Sequence, residues 1–260
     1  MSPHRGPVIL AALVVAALLV GGCGAQSTTP ASTSQAAASG AAASIDAAGT
    51  PQPEDTEPAS TAIPGFDGWL TLNPGVVDVG ETISGFAMTL TKRAEWSGAS
   101  RGALFYTTID GDFRLSGTVR ATRTSDSSLD PGGDGTVQLA GLMARHEGSA
   151  ESWVLLEVGG DAKGLTIATS STKDGVGELV KSAWSDNEAD LKLCRTGTTF
   201  TFWARTADSD DDWTKIGQAQ RPDLKGILQV GSTLSANATP DLTGLFDALT
   251  LEPMDPGEDC

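Results

Sequence analysis

The 260-residue chain carries 33 acidic and 17 basic residues, which gives it a net charge of −16 at neutral pH. Such an acidic surface repels phosphate backbones, so the composition argues against a nucleic acid partner. The chain has three cysteines and two histidines, with no CxxC motif and no Cys/His ligand spacing. A zinc site is therefore not expected, and no other cofactor is predicted.

The first segment of the chain is apolar and ends at a cysteine. Arg5 precedes residues 8–20, an unbroken apolar run of 13 residues. A membrane-spanning helix needs about 20 apolar residues, so this run better fits the hydrophobic region of a secretory signal peptide. Val20, Gly21, Gly22 and Cys23 then resemble the lipobox of bacterial lipoproteins. An ordinary signal peptide with an unrelated cysteine is the alternative.

The lipobox resemblance implies a location and a partner. Residues 1–22 would be removed, and Cys23 would carry a lipid that anchors the protein in the bacterial cell membrane, facing away from the cytoplasm. Residues 23–62 consist mainly of Ala, Ser, Thr, Gly, Gln and Pro. Such a segment buries too little apolar surface to offset its ordering entropy, which predicts a flexible linker. The folded domain is expected over residues 63–253, followed by a tail over 254–260.

Strand patterns recur along the predicted domain. Residues 112–123 alternate strictly between apolar and polar side chains, and Asp110-Gly111 before them is a typical hairpin turn. Residues 174–184 alone suggest a short turn of helix. Many short strands between turns predict an all-β antiparallel sandwich. The other predicted strands are 140–146, 152–159, 164–170, 191–197, 199–205, 213–219, 226–235 and 244–252.

Six phrases follow one another between residues 104 and 252: GDFRLSGTVRA, AGLMAR, SWVLLEVG, LKLCRTGTTFTFWAR, LQVGSTLSA and FDALTLE. This ordered set resembles the concanavalin A-like, laminin G-like jelly-roll domains of the DUF1349 family. The resemblance implies two antiparallel sheets packed face to face. The apolar face of each strand requires the same arrangement, since two such faces must cover each other.

Catalysis is argued against by elimination. His146 is the one histidine that remains after residue 22, and it ends a predicted strand. Ser100 lies in a G-x-S-x-G string, but a strand follows it where the hydrolase elbow needs a helix. Glycosidases of the resembled fold carry an E-x-D-x-x-E string, which is absent here. Glu147, Glu151 and Glu157 share no strand face, so the sequence predicts a protein that is not an enzyme.

The densest acidic cluster is a loop with Asp208, Asp210 and Asp212 at the first spacings of an EF-hand. Trp213 and Ala219 occupy the positions where that motif needs glycine and glutamate. The loop more closely resembles a degenerate Asp-box hairpin, in which the acid holds the turn and the tryptophan packs beneath it. A weak calcium site at the three aspartates is the alternative.

Four side chains are candidates for binding a sugar: Arg145, Trp153, Glu157 and Trp203. Each is predicted to point away from the apolar face of its strand. If these outward faces belong to the concave sheet, the rings can stack on sugar C–H groups while Arg145 and Glu157 bond hydroxyls. The alternative is that the tryptophans pack in the core or at its rim.

The two cysteines after Cys23 leave two possibilities open. Cys194 and Cys260 form a disulfide that fastens the C-terminus, or they are one buried thiol and one free terminal thiol. For function, a lipid-anchored surface protein that binds a glycan without cleaving it is preferred. An envelope scaffold that contacts another protein, with no carbohydrate ligand, is the second hypothesis, and a degenerate glycoside hydrolase is the third.

Overall fold

A computed structural model describes residues 58–96, 102–133, 135–147, 151–255 and 257–260. The predicted signal peptide, the lipobox with Cys23, the linker up to residue 57 and Ser100 lie outside these ranges. Within them, no helix is long and apolar enough to cross a membrane.

The described residues form strands joined by turns. In chain order the strands are β1 (Ala59–Ser60), β2 (Leu70–Leu72), β3 (Val77–Glu81), β4 (Gly85–Leu90), β5 (Ala103–Ile109), β6 (Phe113–Thr122), β7 (Gln138–His146), β8 (Trp153–Asp161), β9 (Gly164–Lys173), β10 (Val176–Ala183), β11 (Glu188–Thr196), β12 (Thr199–Arg205), β13 (Thr214–Gln220), β14 (Leu228–Ala236) and β15 (Thr243–Pro253).

The strands build two antiparallel sheets. An eight-stranded sheet has the order β1-β2-β5-β14-β7-β8-β9-β10, and a seven-stranded sheet has the order β13-β12-β11-β6-β15-β4-β3. Sequence neighbours such as β7, β8, β9 and β10 pair directly, whereas β14 inserts between β5 and β7 by a crossover. This arrangement confirms the predicted all-β two-sheet sandwich.

The main core lies between the two sheets. Strand β6 contributes Phe113, Leu115 and Val119, each fully buried, from the face that the strict alternation predicted. Phe86 of β4 stacks on Phe246 of β15 with ring centroids 5.1 Å apart. Because successive strand residues point to opposite faces, the intervening residues lie on the outer faces of the sandwich, where the candidate site is found.

Strand β10 corrects one prediction. The turn of helix suggested for residues 174–184 is wrong, because Val176–Ala183 pairs with β9 along its whole length. Asp174 and Gly175 both have positive φ, 50° and 76°, and form the two-residue turn between the strands. All eight residues of β10 are exposed, so no buried face imposed a two-residue alternation on this segment.

Residues beyond both predicted domain limits contact the sandwich. Ala59 and Ser60, expected in the linker, pair with β2. At the other end, Cys194 and Cys260 form a disulfide, the first of the two possibilities that the sequence left open. Arg114 also donates to the carboxylate of Glu258, over 3.1 Å. The last residues are therefore fastened to the seven-stranded sheet.

Candidate functional site

The eight-stranded sheet carries a second apolar cluster on its outer face. On β8, Val154 and Leu156 point into the main core, whereas Trp153 and Leu155 point outward. The outer cluster is buried although it faces away from the other sheet, so part of the chain covers it. Its members are Leu72, Trp96, Leu104, Tyr106, Met143, Trp153 and Leu155.

Trp96 provides much of that cover. It lies in the segment between β4 and β5, and its ring centroid is 6.4 Å from that of Trp153. Its Nε1 donates a hydrogen bond to Oγ1 of Thr233 over 2.6 Å. Gly102 makes room for the indole, because a Cβ at this glycine would lie 1.9 Å from Cε2 of Trp96. The ring is thus fixed by a hydrogen bond and by a close backbone approach.

A groove of about 220 Å³ lies beside this cluster. It combines apolar surface with several polar groups, the composition typical of a small-ligand site. The apolar lining comes from Trp96, Val137, Leu139, Trp153, Leu155, Leu179 and Ala236, and the polar lining from Glu95, Glu157, Ser170, Lys181, Ser235 and Asn237.

Glu157 is the buried acid of the groove. It is only 3% exposed, and its Oε1 accepts a 2.5 Å hydrogen bond from Oγ of Ser235. Burial raises the pKa of the carboxyl group from 4.5 to about 7, against the opposing effects of the Ser235 bond and the Lys181 charge. Gly141 faces Glu157 on β7 and leaves space for it, since a Cβ there would lie 2.8 Å from Cγ of Glu157.

The charged groups at the rim of the groove are paired. Lys181 Nζ lies 3.0 Å from Oδ2 of Asp161. The backbone N–H of Lys163, and then Lys181, lower the pKa of the Asp161 carboxyl. Glu95 accepts a hydrogen bond from Arg93 over 2.7 Å. These pairs give the rim little net charge, which suits an uncharged ligand.

Arg145 was predicted to be open to a ligand, but it is buried. It is 1% exposed, and its guanidinium carbon lies 5.4 Å from the ring centroid of Trp96. Trp153 is likewise only 4% exposed. The prediction of an open stacking platform at these side chains is wrong: Trp96, which sequence reasoning missed because it lies outside the recognised strands, packs on both.

Trp203 is separated from the other candidates. It lies on β12 in the seven-stranded sheet, whereas Arg145, Trp153 and Glu157 belong to β7 and β8 of the eight-stranded sheet. It lies on the opposite outer face, where Nζ of Lys192 is 5.3 Å from the centroid of its ring. A single platform that includes Trp203 is therefore wrong, because the two sheets and the main core lie between its members.

The acidic loop shows no metal-binding arrangement. In the part of the chain that the structure describes, no three acidic, histidine or cysteine side chains are grouped to hold a metal ion, and this includes Asp208, Asp210 and Asp212. The Ser209 hydroxyl, instead of an acid, ties the turn by donating to the Thr206 carbonyl over 2.9 Å. Trp213 packs against two cations: its ring centroid lies 4.5 Å from Nζ of Lys192 and 4.8 Å from Cζ of Arg205.

Comparisons with known proteins show the fold. No family model and no curated protein matches the chain. A functionally unknown protein from Saccharomyces cerevisiae aligns with a TM-score of 0.53 and 13% identity, over 68% of this chain and 92% of that one. A xylan β-1,4-xylosidase from Bacillus halodurans aligns with a TM-score of 0.54 and 13% identity, over 71% of this chain. The GH43 BlXynB protein from Bacillus licheniformis aligns with a TM-score of 0.54 and 12% identity, over 70% of this chain.

The two bacterial proteins are much longer than the matched region, since the chain covers 36% of each. At these identities the likeness concerns the backbone and carries over no individual residue. The described residues form a two-layer β-sandwich, and these likenesses show that fold alone.

Proposed function

We propose that this protein is a lipid-anchored protein of the bacterial cell surface, and that its sandwich binds a glycan without cleaving it. The observation that carries the proposal is the groove on the outer face of the eight-stranded sheet. There the exposed Leu179 and the largely buried Trp96 and Leu155 line the same groove as the hydroxyl of Ser235 and the amide of Asn237. Sugars present the same two surfaces, C–H groups and hydroxyls, side by side.

The charge of the groove supports a neutral glycan as the ligand. Lys181 is paired with Asp161, and Glu95 with Arg93. Burial favours the protonated form of Glu157, which can donate as well as accept a hydrogen bond. The fold supports the proposal at a coarser level, because it is shared with a xylan β-1,4-xylosidase.

A hydrolase is the second candidate function, and one observation favours it. Glu95 and Glu157 line the same groove, and a carboxyl group whose pKa is about 7 suits a general acid. Against it, Glu95 is held in an ion pair with Arg93. The binding function is preferred because no second carboxylate in the groove is unpaired among the described residues.

Glycan-array screening of the purified protein, followed by calorimetry with the glycans retained, tests binding. Leu179→Ser removes an apolar side chain of the groove that is 57% exposed, and Ile227→Ser removes one that is 54% exposed elsewhere. We expect Leu179→Ser to weaken affinity about tenfold, the effect of roughly 1.4 kcal/mol, and Ile227→Ser to leave it unchanged.

Two further results distinguish the alternatives. Trp203→Ala is expected to retain full affinity, because Trp203 lies on the other sheet. Equal affinity of Leu179→Ser and the parent protein, or loss of binding in Trp203→Ala, would contradict the proposed groove. Release of reducing ends from a bound glycan, abolished by Glu157→Gln, would replace binding by hydrolysis as the function.

A further inference from the structure

Strand β10 is an edge strand with unusual exposure. It ends the eight-stranded sheet and pairs only with β9. Three of its apolar side chains are largely in solvent, with Val176 79%, Leu179 57% and Val180 48% exposed. An edge strand of this length that carries apolar side chains is a template for pairing with another strand.

The hairpin turn determines which backbone groups face the free edge. In a two-residue hairpin the flanking residues, here Lys173 and Val176, form a hydrogen-bonded pair. Even-numbered residues of β10 therefore bond to β9, and Trp184 continues this parity by donating its N–H to the Leu165 carbonyl over 3.1 Å. The odd-numbered residues, Gly177, Leu179, Lys181 and Ala183, turn their N–H and C=O groups to the free edge.

Two of the usual protections of a sheet edge, a proline and a bulge, are missing from β10. It contains no proline, and its pairing with β9 has no register shift. The opposite edge of the same sheet, β1, is only two residues long, and β13 at an edge of the other sheet pairs through a bulge. Short strands and bulges discourage edge pairing, so β10 is better prepared for it than β1 or β13.

We propose that β10 pairs antiparallel with β10 of a second copy of this chain, which joins the two eight-stranded sheets across a two-fold axis. A second copy is favoured because one symmetric register satisfies the whole edge. With the axis through Val180, Gly177 lies opposite Ala183 of the second copy, and Leu179 lies opposite its Lys181. Every residue of β10 whose N–H and C=O groups face the free edge then belongs to a hydrogen-bonded pair, in which two hydrogen bonds are exchanged.

The side chains are compatible with this register. Val180 meets Val180 of the second copy in a non-hydrogen-bonded pair, where Cα atoms are about 4.5 Å apart and side chains are close. The stem of Lys181 covers Leu179, and its charge is already paired with Asp161. Glu178 lies opposite Ser182 and meets no second acid directly.

The pairing also connects the two grooves. Leu179 and Lys181 line the groove of each copy, so the register brings the groove-lining residues of both copies together at the axis. A glycan longer than one groove could then contact both copies. The dimer itself needs no glycan, so its test is independent of the proposed function.

Sedimentation equilibrium of residues 23–260 with Cys23→Ser, which carry neither the leader nor a lipid, tests the proposal without glycan, at about 150 mM salt to screen the net negative charge. We expect a dimer that dissociates on dilution. Val180→Lys places like charges together at the axis and is expected to give a monomer, with at least a tenfold higher dissociation constant. Ile83→Lys, the same change at a fully exposed apolar residue on the β3–β4 turn, is expected to remain dimeric.

A cross-link checks the register. In the chain with Cys23→Ser, Val180→Cys is expected to oxidise to a covalent dimer, because Cα atoms at this separation suit a disulfide. Ile83→Cys is expected to remain monomeric on a denaturing gel. A monomeric parent protein at all concentrations, a dimer that survives Val180→Lys, or equal cross-linking of both cysteine variants would overturn the proposal.

Discussion

Among single residues, Gly141 shows how closely the strands of the eight-stranded sheet approach under the groove. A Cβ at this position would lie 2.0 Å from the Leu156 carbonyl oxygen and 2.6 Å from Cα of Glu157. Both contacts are with backbone, which cannot move aside cheaply. We expect Gly141→Ala to lower the free energy of unfolding by about 1–3 kcal/mol or more, measured by urea denaturation.

Gly80 on β3 is the matched control, because a Cβ there would meet no atom within 4 Å. Gly80→Ala should change the free energy of unfolding by less than about 0.5 kcal/mol, as is usual for open surface positions. Similar losses in the two variants would mean that the close approach at Gly141 is not what makes alanine costly there.

Glu157 links the stability of the protein to pH. Burial raises its pKa from 4.5 to about 7, so the folded state favours the protonated carboxyl group. The stability that this group contributes is fully present below the unfolded pKa, and it is lost as pH rises through the folded pKa. The loss is on the order of 3 kcal/mol. Glu157→Gln cannot ionise, so its free energy of unfolding should lack this decrease.

Urea denaturation of both proteins between about pH 5 and pH 8 provides the measurement. The difference in unfolding free energy should shift steadily in favour of Glu157→Gln as pH rises, and level off above the folded pKa. Curves that run parallel over this range would show that the carboxyl group of Glu157 ionises in the native protein as easily as in the unfolded chain.

Among the strands, those with one buried face could be predicted from the sequence and β10 could not. Strand β6 alternates strictly because one face lies in the main core and the other does not. Strand β10 has no buried face, so its apolar residues Val176, Leu179 and Val180 follow no two-residue period and resemble one turn of helix. The Asp174-Gly175 turn was the one local signal that favoured a hairpin there.

The disulfide fastens the C-terminal segment to strand β11. Cys194 and Cys260 are 66 residues apart, and closing a loop of this length contributes roughly 4 kcal/mol in the chain-entropy description. We expect Cys260→Ser to lower the free energy of unfolding by about 2–4 kcal/mol. Reductant should destabilise the parent protein by a similar amount and leave Cys260→Ser unaffected.

Cys23→Ser is the control for that measurement, because it removes a cysteine outside the disulfide. Its unfolding free energy should equal that of the parent protein, and it should respond to reductant in the same way. A parent protein whose urea midpoint does not move on addition of reductant would contradict the stabilising role of the bond.

For the whole protein, the candidate site shows where sequence reasoning stops. The alternation within β8 and β12 correctly places Trp153 and Trp203 opposite the main core, but a local pattern does not say which sheet a strand joins. The crossover connections assign β8 and β12 to different sheets. Trp96 could not be anticipated either, because it lies outside the strands and no local pattern indicates its contact with the outer face.

The remaining expectation for the whole protein concerns its anchor. Each buried CH₂ of an acyl chain contributes about 0.8 kcal/mol to membrane binding, whereas a net charge of −16 gives no attraction to anionic headgroups. If Cys23 is lipidated as proposed, we expect the lipid to provide the anchoring. When the chain is expressed in a bacterium with labelled palmitate, the parent protein should be labelled and sediment with membranes, and Cys23→Ser should be unlabelled. Cys260→Ser, which also lacks one cysteine, should keep the label. A labelled Cys23→Ser variant, or a parent protein whose mass includes residues 1–22 and an unmodified Cys23, would rule out lipid anchoring at this cysteine.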